Sequence, residues 1–396
     1  MSNTETWHLE LEPVDAWYFG DAGPYDMGEA SQTESKTLFP PHAPTLVGAL
    51  RAMLARAKGW DGRSRWNEGT NVDLRLEEVL GKDYWDLGQV RFEGPFLTRV
   101  QSNSDANEVM VPMPLHILGR MKELDTKEKT EVWEPAARLR PGNNAVLCDM
   151  GRVRLPKIAS DKPERGLKEP EGIFVTVAGL EAILRGDLPA TSEVVRSRDL
   201  WRGERRVGLE RERESRTAKE GALYSPTYVR LKPGVRLTMG VSGLPEDWVS
   251  EKFTLPGLMP LGGEGRMASV ERLEGAAMAN APLEAIAENG RMSVTLLTSA
   301  LLTPDDTTVT WPRPHSALAE NIPGTIVSAC VGKPHYIGGW DSLKRKPVAP
   351  QPFVPAGSTY FLEDVDADLE TLRQLHGSCI GRRQAFGFGQ VALGVW

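Results

Sequence analysis

The sequence predicts an α+β fold made of two similar units in tandem. A strand–helix–strand–strand–helix–strand succession occurs twice. Each time it ends in a Gly-rich turn beside arginine, followed by a last strand. The first turn is Leu261-Gly262-Gly263-Glu264-Gly265-Arg266; the second runs from Gly381, Arg382 and Arg383 to Phe386, Gly387, Phe388 and Gly389. A βαββαβ order is that of a ferredoxin-like (RRM-like) domain, whose open sheet often serves RNA recognition. With 396 residues, 40% apolar and 26% charged, the chain is long enough for two or three proper cores. The expected division is 1–275, carrying an insertion at about 60–220, and 290–396.

The elements follow from local pattern. Trp7, Leu9 and Leu11 alternate with His8, Glu10 and Glu12, as in a half-buried strand, and Trp17, Tyr18 and Phe19 extend it. Pro40, Pro41 and Pro44 forbid helix, Thr45 serves as a cap, and Leu46, Leu50, Met53, Leu54 and Ala57 give a helical stripe over 45–58. Within the insertion, Gln89–Val100 and Val109–Leu118 read as strands, 178–185 as a short helix, and 121–172 as mostly polar and partly mobile. Tyr228–Leu231 and Val235–Met239 flank Lys232-Pro233-Gly234 and read as a hairpin. A short helix near 246–252, the first Gly-rich turn and the strand Met267–Leu273 close the first unit. The second unit has strands at Met292–Leu302, Thr325–Val331, Ser358–Leu362 and Gln390–Trp396. Its helix, marked by Leu369, Leu372 and Leu375, stops at Gly377, and its first helix is weak or missing.

Charge and cysteine usage narrow the function. The net charge of −7 is unusual for a nucleic-acid protein, but it is uneven. Arg196, Arg198, Arg202, Arg205, Arg206, Arg211, Arg213 and Arg216 crowd one stretch, interleaved with Asp199, Glu204, Glu210, Glu212 and Glu214. Such a run is usually a solvated face; Trp201 within it tilts the reading towards bases, on which indole and guanidinium planes both stack. Cys148, Cys330 and Cys379 are odd in number and far apart, as in a reducing cytoplasm. No apolar run reaches the roughly 18 residues that span a bilayer.

The Gly-rich turns have two readings. Gly262, Gly263, Gly265 and Arg266 form either a phosphate cradle or a tight turn with Arg266 paired to Glu264. Phe386 and Phe388 either stack bases or pack in the core, and core is the better reading for the run alone. Arg51, Lys219 and Arg230 complete the candidate RNA contacts, beside Arg382, Arg383, Gly387, Gly389, Trp201, Arg205 and Arg206. No P-loop, GxSxG, HExxH or CxxC occurs, and no cofactor is expected. His42 is a lone loop histidine, and Asp15, Asp21 and Asp26 are a carboxylate group without a motif.

Several blocks resemble a known family, the third subunit of Cmr-type (type III-B) CRISPR effector complexes, a RAMP protein. They are YFGDAGPYDMGEA (18–30), LFPPHAPTLVGALR (38–51), SRTAKEGALYSPTYVRLKPGV (215–235), PLGGEGRMASVE (260–271), YIGGWD (336–341), VPAGSTYFLE (354–363) and GFGQVALGVW (387–396). The resemblance implies tandem ferredoxin-like RAMP domains. It also implies binding of the 5′ repeat-derived tag of the CRISPR RNA, with docking on the large polymerase/cyclase subunit and the neighbouring backbone RAMP subunit. It implies a non-catalytic role in antiviral defence. The alternative is a repeat-RNA endoribonuclease of the same superfamily using a His acid–base site such as His42.

Overall fold

Strands outnumber helices, and nearly all of them pair antiparallel, which makes this an α+β chain. The computed structural model describes residues 6–20, 34–35, 37–66, 72–100, 107–123, 131–148, 151–159, 165–212, 215, 217–249, 255, 257–273, 278–303, 322–342 and 344–396. Contacts separate two units that interleave along the sequence: 1–95, 198–275 and 338–349 in the first, 96–197, 276–337 and 350–396 in the second. The expected boundaries followed chain order. Much of the expected insertion instead packs with the C-terminal segments, because Val175, Leu180 and Leu184 share a core with Leu297 and Ala392.

In the first unit the strand Trp7–Pro13 lies between Met267–Leu273 and Val235–Ser242. Residues 91–95, the leading part of the strand Arg91–Val100, lie beyond Val235–Ser242. Numbered along the chain, the four run fourth–first–third–second. The alternation places Trp7, Leu9 and Leu11 in the core. Glu10 is buried too, neutralised by Arg236 at 2.6 Å. The helix Ala43–Ala57 buries Leu46, Val47, Leu50, Met53 and Leu54. His42, not Thr45, is its N-cap residue. Pro44 sits in the first turn, where a missing N–H costs nothing.

The expected hairpin about Lys232-Pro233-Gly234 does not pair with itself. The turn closes, with Val235 N donating to Lys232 O at 3.0 Å, but its arms enter different sheets. Val235–Ser242 joins Trp7–Pro13, while Ala218–Leu231 pairs with Trp201–Arg205 and Gly208–Arg211.

The second unit holds the strands Thr325–Cys330, Thr359–Glu363, Met292–Leu296 and Val391–Gly394 in one sheet. Numbered along the chain and read from the Val391–Gly394 edge, these also run fourth–first–third–second. Met292, Val294, Leu296, Tyr360, Leu362, Leu372 and Leu393 form its core. Asp368 caps the helix Leu369–Leu375, accepting from Thr371 N at 2.7 Å. The segment 304–321, where the weak first helix was expected, lies outside the described residues.

The stretch 121–172 corrects another expectation. It supplies most of a three-stranded sheet, Ile117–Glu123, Glu131–Cys148 and Gly151–Ile158. Buried Trp133 anchors this sheet, and Arg120 and Lys122 reach across to Glu134 at 3.1 and 2.5 Å. Exposed cross-strand ion pairs occupy the positions where an apolar alternation would show, so the polar composition concealed the strands. Among the described residues, no helix is long and apolar enough to cross a membrane.

Leu393 is fully buried in the second unit's sheet. Leu393→Ala should lower unfolding free energy by about 2–5 kcal/mol, read from chemical denaturation.

Candidate nucleic-acid interface

The first Gly-rich turn lies at the surface of the first unit, against the segment Trp17–Phe19. Gly262 has φ 85°, and a Cβ there would meet Tyr18 O at 2.6 Å. Gly263 N donates to that same carbonyl at 2.8 Å. Glycine is therefore required by close backbone approach as well as by conformation. Gly265, at φ 65°, faces open space. One amide of the expected cradle is thus committed inward, while Gly262–Gly265 remain exposed.

Arg266, at the end of the turn, pairs with Asp15 at 3.3 Å, not with Glu264. Its guanidinium carbon lies 4.4 Å from the ring centre of Tyr228, and that of Arg206 lies 4.9 Å from the same ring. Tyr228 is almost fully buried and packs on Tyr18 with ring centroids 5.7 Å apart. Such cation–π contacts contribute about 0.5–1 kcal/mol each at exposed sites.

Strand alternation explains how the arginines converge. Trp201–Arg205 runs antiparallel to Ala218–Leu231, with Arg202 opposite Arg230 and Glu204 opposite Tyr228. Arg202, Glu204, Tyr228 and Arg230 therefore share one face, and Arg206 just beyond the strand joins them through Glu204 at 2.8 Å. Arg205 and Trp201 belong to the opposite face, where Trp201 is half-buried edge-on against Phe39 at 4.9 Å. Asp15 closes the cluster, binding Arg206 and Arg230 at 2.8 Å each, and Glu204 bridges the same two arginines. The hydrogen bonds from Arg230 and then Arg206 hold the Asp15 carboxyl below its ordinary range and bring Glu204 down to about 2.

Beside this cluster opens a groove of about 570 Å³, lined by Glu12, Asp15, Arg202, Arg230 and Lys232 among others. Cluster and groove together carry five cationic side chains against three carboxylates, in a chain of net charge −7. With the exposed Gly turn and its Glu264 the balance is five to four, a cation-rich surface over an aromatic floor that can meet a phosphate backbone.

The other sequence candidates lie elsewhere. Gly387 and Gly389 are buried; their amides donate to Gln384 O and Ser299 O at 2.8 and 2.9 Å, and a Cβ at Gly389 would meet Ile380 O at 2.0 Å. Phe386 and Phe388 are core, with Phe388 4.4 Å from the Phe353 ring. The second turn is thus an interior structure, with half-buried Arg382 and Arg383 at its start. Arg51 is buried and donates to the carbonyls of Gly81, Asp83 and Asp86 at 3.0–3.2 Å. Lys219 belongs to the strand Ala218–Leu231, but its side chain lies outside the described residues, as do Arg213, Arg216, Asp21 and Asp26. His42 is half-buried at the start of its helix. Sequence reasoning missed Tyr18, Tyr228, Arg202 and Lys232 as members of one surface. The period-two spacing of Arg202, Glu204 and Arg206 was the available signal.

The family model for CRISPR-associated protein (Cas_Cmr3) matches residues 9–396. The chain belongs to this family. No curated protein matches it. Among solved structures, one chain of type III-B Cmr-beta bound to cognate target RNA, from cryo-EM, is similar with a TM-score of 0.50 and 14% identity, over 97% of this chain and 96% of that one. A chain of the same complex bound to cognate target RNA and AMPPnP has a TM-score of 0.47 and 14% identity, over 89% and 86%. A chain of the Csm3-Csm4 subcomplex of the type III-A CRISPR-Cas interference complex has 0.38 and 12%, over 91% and 94%. The first of these likenesses shows a shared fold.

Two predictions test this geometry. The Glu204 carboxyl should titrate near 2 by NMR, and Arg230→Ala should return it towards its ordinary 4.5. Because the folded value is depressed, the cluster's ion pairs are fully formed above about 4.5 and dissolve as pH falls through about 2. Gly262→Ala should cost about 1–3 kcal/mol in denaturation experiments, with Gly265→Ala at the low end since only strain opposes it.

Proposed function

We propose that this chain is a non-catalytic RNA-binding subunit of a type III-B CRISPR effector complex. In this reading it binds the 5′ repeat-derived tag of the CRISPR RNA and docks on the large polymerase/cyclase subunit and the neighbouring backbone RAMP subunit. The observation that carries it is the convergence of Arg206, Arg230 and Arg266 on Asp15 over the Tyr228 ring, beside an exposed Gly turn. Membership of the Cas_Cmr3 family and the fold shared with a chain of an RNA-bound Cmr-beta complex support the assignment.

The repeated fourth–first–third–second strand order supports two ferredoxin-like RAMP units. In each, the helices reduce the ideal pattern rather than the sheet: Glu246–Val249 is a single turn, and the described part of the second unit lacks a helix between Met292–Leu296 and Thr325–Cys330.

The chemistry of RNA capture follows from the cluster. Asp15 and Glu204 hold the guanidiniums in fixed places while each arginine keeps donors for a second partner. A phosphate arriving at the surface joins or replaces Asp15 as the shared acceptor. Planar guanidiniums already resting on Tyr228 lose little further side-chain freedom on binding.

CRISPR RNA affinity should fall with salt, and Arg206→Ala should weaken binding and reduce the slope of log affinity against log salt by about 0.7. Arg205→Ala, on the opposite face, should change either far less. Equal losses from both, in filter-binding titrations with melting temperature monitored, would contradict the assigned face. The purified chain should leave repeat RNA intact with or without divalent metal; cleavage abolished by His42→Ala would favour the endoribonuclease reading instead.

A further inference from the structure

The block YIGGWD (336–341) has no part in the Asp15 cluster, yet the structure gives its end an unusual surface. Trp340 is 58% exposed. The turn that follows brings Lys344, Arg345 and Lys346 to the surface in succession. Asp341, the one acid at this turn, is buried; it accepts from Lys344 N at 3.0 Å and lies 3.8 Å from Lys344 Nζ. The turn therefore presents three cations and an indole, with its single carboxylate drawn in behind them.

This surface is held from below. Tyr84 OH donates to Gly338 O at 3.3 Å, and a Cβ at Gly339 would lie 2.1 Å from that hydroxyl. Tyr84 is itself fixed, edge-on against Trp85 at 4.7 Å, and burial and then the Asp341 charge push its hydroxyl up to about 12. The loop carrying Tyr84 is clamped by Arg51 through the carbonyls of Gly81, Asp83 and Asp86. Asp83 also accepts from Trp85 N and Asp86 N at 2.9 and 2.8 Å. A continuous chain of contacts thus runs from the buried Arg51 to the exposed turn, all within the first unit.

We propose that the turn carrying Trp340, Lys344, Arg345 and Lys346 is a second contact for single-stranded RNA, with a base stacked on the Trp340 indole and adjacent phosphates on the three cations. An exposed indole followed within six residues by three consecutive exposed cations combines the stacking platform and the charge that unpaired strands require. The overall charge of −7 means that this local basicity is not an average property of the surface. Arg51 and Tyr84 are positioning residues for it. The inference rests on the reading of this chain as an RNA-binding subunit, but on none of the residues of the Asp15 cluster.

The test uses the full chain and a fluorescein-labelled 12-nucleotide oligouridylate. Trp340→Ala should weaken binding by about tenfold, and Trp340→Phe by much less, because a phenyl ring still stacks. The triple variant Lys344→Ala, Arg345→Ala, Lys346→Ala should lower the salt slope by about 2. Tyr84→Phe should reproduce part of the Trp340→Ala loss with an unchanged salt slope. All these changes lie at the surface or remove only a hydroxyl, and melting curves check that each variant is folded. If Arg206→Ala weakens binding while the turn variants bind as the parent does, the turn proposal fails and the RNA-binding reading stands. If the parent chain does not bind the oligonucleotide at all, both fail. Unchanged RNA affinity with lost binding to a protein subunit assigns the turn to protein docking and overturns the proposal.

Discussion

The basic surface of the first unit depends on one buried ring. Tyr228 lies under two guanidiniums, those of Arg206 and Arg266, and against Tyr18. Tyr18 in turn supplies the carbonyl that fixes the Gly262-Gly263 turn. Segments far apart in sequence, around residues 15–18, 204–206, 228–230 and 262–266, meet at this ring. The ion pairs above it are exposed, and each adds little to stability. Their part is directional: they orient arginines that the aromatic floor has already placed. A surface built in this way presents its guanidiniums already oriented, which lowers the ordering cost of binding an anion.

Much of the fold was legible because it rests on local periodicity. Trp7, Leu9 and Leu11 alternate and are buried; Leu46, Leu50, Met53 and Leu54 follow helical spacing and are buried. Pairing was harder to read. Lys232-Pro233-Gly234 forms its turn, but whether two flanking strands pair depends on competing partners such as Trp201–Arg205, which lie far off in sequence. The strands at 131–158 were hidden because charged residues interrupt the apolar alternation, as where Glu134 faces Arg120 and Lys122.

The two Gly-rich turns look alike in sequence and differ in environment. In the first, the glycines bring backbone against the Tyr18 carbonyl and stay exposed on their outer side. In the second, Phe386 and Phe388 draw the turn into the core, and glycine is needed because Ile380 O occupies the Cβ position of Gly389. Spacing alone could not separate these cases; the two phenylalanines were the distinguishing mark. Arg51 was misleading for the opposite reason. It is charged but buried, and its two terminal guanidinium nitrogens serve the carbonyls of Gly81, Asp83 and Asp86, which no apolar side chain could do. Asp15, met in sequence as one of several loop carboxylates, proved to be the shared acceptor of three arginines.

The central claim is that the face carrying Arg206, Arg230 and Arg266 meets the 5′ end of the guide. Photo-crosslinking measures this most directly. A complex reconstituted with CRISPR RNA bearing 4-thiouridine in the tag would be irradiated, and the linked peptides identified by mass spectrometry. The account predicts crosslinks in peptides spanning Tyr18, residues 202–206, Tyr228–Lys232 and the turn 262–266. Crosslinks confined to the peptides around Phe386 and Phe388, or absent from this chain while present in its partners, would contradict it.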